Sequence, residues 1–169
     1  MWISKKLCAS HDIISKEKAV RLKEAGVGRY HHNVETSREH FRRICDTHTY
    51  QDRLDTIRNV LDAGMDVCCG GIIGMGESAV DRIRMAFEIR EVGVASVPVN
   101  VLNPVAGRPL GESPRLTPEE ILLAMAMFRL VLPKAAIRFA GGRSALGEHQ
   151  RKGLEAGVDA MLEELGREV

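Results

Sequence analysis

The chain has 169 residues, of which 44% are hydrophobic and 28% charged, and its formal net charge is +1. This length suits one compact domain with a sizeable core. The balanced charge is typical neither of a disordered chain nor of a protein that binds mainly nucleic acid or anionic membrane surfaces. No segment approaches the ~20 apolar residues of a transmembrane helix, and no signal peptide is recognisable. We therefore expect a cytoplasmic protein without a nucleic-acid or membrane partner.

Helices that end at a glycine and lead into short apolar strands recur along the chain. The glycines at these helix ends are Gly26, Gly64, Gly93 and Gly157. Each lies where the end of a helix favours a left-handed residue. The segments after the first three glycines, with one more after Pro133, predict strands over residues 29–34, 66–70, 96–102 and 136–140. Strands that alternate with helices at this spacing predict parallel βαβ units.

Helix starts are indicated by side chains that can cap a helix. Ser15 is expected to cap the first helix. Thr49 and Thr117 are each followed three positions later by an acidic residue, which is the pattern of a capping box. A further helix over residues 79–92 is expected to bury Ile83, Phe87 and Val80.

These units predict an α/β fold. A complete (β/α)8 barrel takes ~250 residues, so we expect a single domain that forms a partial TIM-type barrel, roughly its later four to five βα units. A small open sheet is the alternative. Polar residues fall at the carboxyl ends of the predicted strands, which is the face where barrels place their active sites. They are Asn33, Glu35, Cys68, Asn100, Asn103 and Arg138.

The run at residues 68–77 joins two cysteines to a glycine-rich turn and a carboxylate, at the point where a strand gives way to a helix. Thiolates bind iron strongly, and glycines let a ligand approach the backbone. Because neighbouring strand residues point to opposite faces, only one of Cys68 and Cys69 can face the barrel interior. The alternative is a buried strand with a tight turn, whose cysteines act as small hydrophobic residues. The glycine spacing is not that of the dinucleotide-binding fingerprint.

A second polar segment lies at residues 29–37, where alternation places His31, Asn33 and Glu35 on one face. A carboxylate beside an amide could bind a ribose diol or a ureido group through hydrogen bonds. For His31 and His32, the pattern favours a core or surface position over metal ligation.

Two further polar residues are predicted within apolar strands. Arg138 would need partners for its five donors if it faces inward, which implies an anion or an unusual ligand. Asn100 lies between two valines and must likewise be paired. Four cysteines in an α/β cytoplasmic chain favour thiols or metal ligands over disulfides, and we interpret Cys45, which has no partner nearby in the sequence, as structural.

Taken in chain order, six segments resemble biotin synthases, which are radical S-adenosylmethionine (SAM) enzymes. The segments are residues 8–10, 30–37, 49–53, 68–77, 96–100 and 138–143. The resemblance implies a (β/α)8 barrel and a homodimer. It also implies one 4Fe–4S cluster that cleaves SAM, an external electron donor, and a deeper 2Fe–2S cluster that donates sulfur to dethiobiotin. Residues 97–169 resemble the family's C-terminal region associated with biotin and thiamin synthesis.

The resemblance also implies roles for individual residues. The 2Fe–2S ligands would be Cys8, Cys68 and Arg138, which accounts for an arginine in an apolar strand. SAM would be held by Asn33, Glu35, Gly70, Gly71, Ile73 and Gly74. Dethiobiotin would be bound by Asn33 and Asn100.

The chain departs from the family pattern in three ways. It contains no CxxxCxxC segment, which binds the 4Fe–4S cluster, and no third cysteine for the 2Fe–2S cluster. Residues 1–6 resemble an accidental start. Residues 158–164 look more helical than the family's last strand. We expect a truncated chain that performs no sulfur insertion alone. The alternatives are another radical SAM enzyme, of the methylornithine synthase or hydrogenase maturase type, and a non-catalytic half barrel.

Overall fold

The structure, a computed structural model, describes residues 7–161. The strands are β1 Leu7–Ala9, β2 Val27–His31, β3 Asp66–Cys68, β4 Gly71–Ile73, β5 Ser96–Val101, β6 Ala136–Phe139 and β7 Ala160–Met161. The helices are α1 Lys16–Glu24, α2 Arg38–Phe41, α3 Tyr50–Asp62, α4 Ala79–Val92, α5 Pro118–Val131 and α6 Gln150–Glu155, with a 3₁₀ helix over Arg143–His149.

All strand pairs in the sheet are parallel, in the order β1-β2-β3-β5-β6-β7, and β4 pairs with β5. The pairs Cys68↔Ser96 and Gly71↔Val99 keep one register, so β3 and β4 are successive parts of a single path through the sheet. The described sheet does not close, and the predicted partial barrel is confirmed. Parallel strands bring all their carboxyl ends to one edge, which positions the candidate site.

The predicted helix boundaries depend on local hydrogen bonds that the structure contains. The side chains of Ser15, Thr49 and Thr117 each accept a hydrogen bond from a backbone N–H in the first turn, and the last two form complete capping boxes. The four glycines predicted at helix ends all have positive φ, between 74° and 95°. Local sequence therefore determined where these helices begin and end.

The prediction for α4 was wrong about which face is buried. Val80 is 54% exposed, and Phe87 is 40% exposed and lies beneath the guanidinium of Arg90. Instead the helix buries Met85, Ala86 and Ile89 in the core. Apolar residues occur around much of this helix, so periodicity alone did not fix its orientation.

The prediction that residues 158–164 are more helical than strand-like was also wrong, for the two residues that form a strand. Ala160 and Met161 form β7, which pairs with Arg138 and Phe139 of β6. Asp159 anchors this strand, since its carboxylate accepts from the Ile137 N–H at 2.7 Å and its own N–H donates to the Ile137 carbonyl at 2.8 Å. Such a long-range contact leaves no local signal. Residues 162–164 of that prediction, and residues 1–6, lie outside the described residues.

One cluster of buried apolar residues joins the sheet to the helices. Tyr30, Val97 and Ile137 come from its strands, while Ile57 and Phe128 come from α3 and α5, and none of the five side chains is exposed. Within residues 7–161, no helix is long and apolar enough to cross a membrane. The helices thus pack against the sheet through this cluster, and the carboxyl ends of the strands form the edge where the candidate site lies.

Candidate functional site

The polar residues predicted at the strand ends lie along the carboxyl edge of the sheet, and several of them are in contact there. The pairing of β2 with β3 places His31 opposite Cys68, and the pairing of β5 with β6 places Arg138 opposite Pro98. Cys69 points the other way and belongs to the core cluster. Burial raises the pKa of the Cys69 thiol to about 12, so Cys69 is an inert core residue and Cys68 is the cysteine that meets the polar side chains.

The Cys68 sulfur lies at the centre of this polar group. Arg138 donates from Nη2 to Sγ at 2.7 Å, and Ser96 donates from Oγ at 3.7 Å. His31 Nδ1 lies 3.5 Å from the same sulfur. Cys68 is only 2% exposed. Burial, together with the nearby guanidinium of Arg138, holds the pKa of His31 below its ordinary value, so its imidazole is neutral at pH 7.

Glu35 is held in an unusual conformation at the end of β2. Its φ is +70°, a left-handed backbone that non-glycine residues rarely adopt. Arg53 of α3 fixes it, since Nη1 lies 3.2 Å from Glu35 Oε1 and donates to the Asn33 carbonyl at 3.0 Å. Glu35 Oε2 is buried without a hydrogen-bond partner among residues 7–161. A buried carboxylate oxygen without a partner favours a ligand that donates hydrogen bonds.

A cavity of about 230 Å³ adjoins this carboxylate, and Asn33, Glu35 and Arg53 are among its lining residues. His32 also lines it but is only 4% exposed, and its Nε2 has no partner in the described part of the chain. Burial and the positive charge of Arg53 lower the pKa of His32 to about 4. The imidazole is therefore neutral at pH 7.

The glycines of residues 68–77 have packing reasons of their own. A Cβ at Gly70 would lie 1.7 Å from the Pro98 carbonyl oxygen, and one at Gly71 would lie 2.7 Å from the Glu35 carbonyl oxygen. Only glycine therefore allows these strands to approach. The Gly70 N–H donates to Asn33 Oδ1 at 3.1 Å, which ties the run to β2.

The turn after β4 is built around the buried carboxylate of Glu77. It accepts from the backbone N–H groups of Gly74 and Met75 at 2.8 and 2.7 Å. Arg82 of α4 donates to it at 2.7 Å. Ile73, predicted to contact SAM, is fully buried, and its carbonyl accepts from Leu102 N–H at 2.9 Å. The SAM contacts of this run stay a prediction.

Asn100 bridges two strand ends. Its Nδ2 donates to the Gly71 carbonyl at 3.2 Å, and its Oδ1 accepts from the Gly141 N–H at 2.9 Å. The expectation that this asparagine is paired is thus met by backbone groups. A contact with dethiobiotin would use the second amide hydrogen or the remaining lone pair.

Cys8 does not join the group around Cys68. It is exposed on β1, in register with Arg29, and that residue pairs with Asp66. Strands lie ~4.8 Å apart and rise ~3.3 Å per residue, so two strands and two residues put the Cα atoms of Cys8 and Cys68 about 12 Å apart. Among residues 7–161, no three His, Cys, Asp or Glu side chains are grouped to hold a metal ion.

The site's residues fall within two matching family models. Residues 3–89 match the model described as the radical SAM superfamily, and residues 98–164 match the biotin and thiamin synthesis associated domain. The chain belongs to the radical SAM superfamily. SAM and iron–sulfur clusters are the cofactors of this family.

Curated relatives named biotin synthase confirm the predicted resemblance. The protein from Acetivibrio thermocellus is 63% identical over 93% of this chain and 49% of its own length. The protein from Pelotomaculum thermopropionicum is 56% identical over 92% of this chain and 49% of its own length. The chain therefore spans about half the length of the curated relatives it matches.

Solved radical SAM structures support the fold. The FeFe-hydrogenase maturase from Carboxydothermus hydrogenoformans superposes with a TM-score of 0.76 at 20% identity, covering 93% of this chain and 39% of that one. A methylornithine synthase gives 0.72 at 21% identity, covering 88% and 44%. At such identities the likeness concerns the fold alone.

The residues present fit the family's cofactors in two places. Glu35 Oε2 offers an unpaired acceptor beside the 230 Å³ cavity, as a ligand with hydroxyl donors requires. The buried Cys68 sulfur, with an imidazole and a guanidinium against it, offers the soft donor that iron prefers. Within the described residues, Cys8 makes no contact with the Cys68 sulfur.

Sequence reasoning missed Arg53, Ser96 and the position of His31. Arg53 lies in one of the segments that resemble biotin synthases, but its contacts are 18 and 20 residues away. Ser96 and His31 reach Cys68 only through the pairing of β3 with its neighbours. Alternation along β2 placed His31 on the face of Asn33, but it could not place His31 beside a particular cysteine.

Proposed function

We propose that this chain carries the sulfur-donor part of a biotin synthase site, and that the complete site inserts sulfur into dethiobiotin to form biotin. The names of the curated relatives support this reaction. The observation that carries the proposal is the contact between Arg138 Nη2 and Cys68 Sγ at 2.7 Å. A guanidinium placed on a buried cysteine sulfur is unusual, and the resemblance to biotin synthases implies both residues as cluster ligands.

In this proposal Cys68 and Arg138 hold one side of a 2Fe–2S cluster. Cys8 is the third predicted ligand, and it lies at the exposed edge of the sheet. For Cys8 to ligate the same cluster, β1 must approach β3 more closely than it does in this structure. The family's reaction draws radicals from SAM and sulfur from the cluster, while this chain's residues bind and orient the reactants.

The SAM and substrate contacts belong to the same proposal. Glu35 Oε2 accepts hydrogen bonds from the ribose hydroxyls, and Asn33 lies beside it with its amide oxygen fixed by the Gly70 N–H. Main-chain groups of Gly70, Gly71, Ile73 and Gly74 lie along the rest of SAM. Asn100 and Asn33 hold the ureido ring of dethiobiotin.

The remaining features of the proposal come from the resemblance. They are a 4Fe–4S cluster whose CxxxCxxC ligands are not in these 169 residues, an external electron donor and a homodimer. The chain alone is expected to show no sulfur insertion with SAM and a reductant. The two alternatives, another radical SAM reaction and a non-catalytic half barrel, have no specific observation in their favour.

Anaerobic reconstitution with Fe(II) and sulfide tests the proposal. The chain is expected to bind iron and sulfide in equal amounts and to show the visible absorption of an iron–sulfur cluster. Cys68→Ala and Arg138→Ala should each lower the bound iron at least severalfold. Cys45→Ala is the matched control, because Cys45 lies in the segment between α2 and α3, away from Cys68. Unchanged cluster content in Cys68→Ala would overturn the proposal.

A further inference from the structure

The turn after β4 has a left-handed glycine on each side of Met75. Gly74 has a φ of +93°, and Gly76 has a φ of +89°. A glycine adopts either sign of φ at little cost, so the peptide group between Met75 and Gly76 could turn over with little movement of the flanking chain. The orientation of this peptide group therefore depends on a contact that holds it.

The carboxylate of Glu77 holds only the first part of the turn. It accepts from the backbone N–H groups of Gly74 and Met75. These two N–H groups belong to the peptide groups that precede Met75. The peptide group that follows Met75 needs a different partner.

His40 of α2 is that partner. Its Nε2 lies 3.2 Å from the Met75 carbonyl oxygen. Because a carbonyl oxygen can only accept, this ring nitrogen carries its hydrogen and donates it to Met75. His40 is only 6% exposed, so water competes little for the bond. The imidazole therefore fixes the orientation of the peptide group between Met75 and Gly76.

The helix that carries His40 is itself fixed against α4. Ser37 Oγ accepts from the His40 backbone N–H at 3.2 Å and donates to Asp81 Oδ1 at 2.9 Å. The Arg38 N–H donates to the carboxylate of Glu88 at 3.2 Å. Asp81 and Glu88 both belong to α4, which begins just after the turn. The position of the imidazole is thus determined by the packing of two helices.

Helix α2 also connects the two segments that are proposed to bind SAM. Residues 33–35 lie just before it, and the Glu35 carbonyl accepts from the Ile72 N–H at 2.7 Å. This bond joins the two segments at the start of the glycine-rich run. The bond from His40 joins them again at Met75. The two connections together determine how the glycine turn lies relative to Glu35.

We infer that His40 is a positioning residue for SAM, and that it holds the peptide group after Met75 in the orientation that SAM requires. This inference rests on the proposed function and deepens it, because Gly74 is among the residues proposed to contact SAM. His40 touches no ligand itself and acts through the main chain of the turn. The resemblance to biotin synthases implies no role for this residue.

The SAM affinities of matched variants test the inference. His40→Phe keeps a buried ring and removes the donor, whereas His40→Gln keeps an N–H donor near the position of Nε2. In equilibrium dialysis with radiolabelled SAM, His40→Phe is expected to weaken binding about tenfold, and His40→Gln to bind within about twofold of the unchanged chain. His48→Phe is the matched control, because His48 contacts Cys45 in the segment between α2 and α3.

Nuclear magnetic resonance measures the conformation of the turn without SAM. The Overhauser effect between the Met75 Hα and the Gly76 amide proton depends on ψ of Met75, and hence on the orientation of the peptide group. It should change in His40→Phe and stay unchanged in His40→Gln and His48→Phe. A loss of stability alone would not alter this effect in folded molecules, and circular dichroism of each variant establishes that it is folded.

The outcomes separate the inference from the proposed function. A lower SAM affinity and an altered turn in His40→Phe, both recovered in His40→Gln, support the inference. An unchanged affinity or an unchanged turn in His40→Phe overturns it, as does a chain that binds no SAM while its cluster depends on Cys68. In those cases the sulfur-donor part of the proposed function stands, because cluster reconstitution tests it separately. If the cluster is independent of Cys68, the proposed function fails and the inference fails with it.

Discussion

Arg53 fixes the carboxylate of Glu35 by one oxygen and leaves the other oxygen unpaired. The guanidinium lies 3.2 Å from Oε1 and also binds the Asn33 carbonyl, while Oε2 is buried without a partner within residues 7–161. Arg53 thus positions two residues predicted to bind SAM. Its own side chain is only 14% exposed, which restricts it to this geometry.

Arg53→Ala is therefore expected to weaken SAM binding by about tenfold, because a charge-assisted contact of about 1.5 kcal/mol that orients Glu35 is lost. Equilibrium dialysis with radiolabelled SAM measures the affinity. Arg58→Ala is the control, since Arg58 lies on the same helix with a side chain that is 65% exposed. Equal affinities in the two variants would contradict a positioning role for Arg53.

Glu77→Gln should destabilise the fold by about 3 kcal/mol, because it leaves the charge of Arg82 buried without its partner. The Glu77 side chain is 0% exposed and that of Arg82 is 9% exposed. Urea unfolding measures the loss. Asp55→Asn, at an exposed ion pair with Arg58, should change stability by less than ~1 kcal/mol. A loss at Glu77 no larger than at Asp55 would argue against the buried pair.

Gly71→Ala is expected to cost about 1–3 kcal/mol, because the new methyl group would overlap Met85 Sδ and the backbone oxygen of Glu35. The backbone contact, at 2.7 Å, cannot move without displacing β4 from residue 35. Gly153→Ala serves for comparison, since its Cβ would meet only the flexible ends of Met161 and Leu146. Thermal unfolding of both variants should show a lower midpoint for Gly71→Ala alone.

The lowered pKa of His32 predicts how the free energy of unfolding depends on pH. Its pKa is about 4 in the fold against an ordinary 6.5, with burial as the main cause and Arg53 second. The unfolded chain therefore binds a proton more readily, so the stabilisation is present above pH 6.5 and is lost as the pH falls toward 4. Unfolding free energies between pH 4.5 and 7.5 should rise with pH, and the slope should be smaller in His32→Gln. An unchanged slope in that variant would refute the assignment to His32.

The helix boundaries were predicted from the sequence because the capping side chains and glycines that set them act locally. Capping at Thr49 and Thr117 and the glycines at helix ends act within one turn of helix. The strand β7 was not predicted because it depends on Asp159, which bonds to Ile137 and Arg129 far away in the sequence. Phe87 was misplaced because α4 is apolar on more than one side.

The location of these polar residues in the fold was predicted better than the contacts between them. The positions of polar residues at strand ends anticipated Asn33, Glu35, Cys68, Asn100 and Arg138 at one edge. The pairing that sets His31 against Cys68, and the reach of Arg53 from α3, arise from strand register and helix packing. Glycines interpreted as ligand contacts also proved necessary for close strand packing.

The two hydrogen bonds of Asn100 have a consequence for how binding at this edge can be measured. The Asn100 amide is hydrogen-bonded to the main chain of β4 and to the main chain after β6. The same side chain would therefore stabilise the ends of these strands and contact a ligand. A ligand that bonds to Asn100 would slow hydrogen exchange of the Gly141 N–H without touching it. A lower affinity of Asn100→Ala for a ligand would therefore reflect the loss of these main-chain hydrogen bonds as well as the loss of the ligand contact.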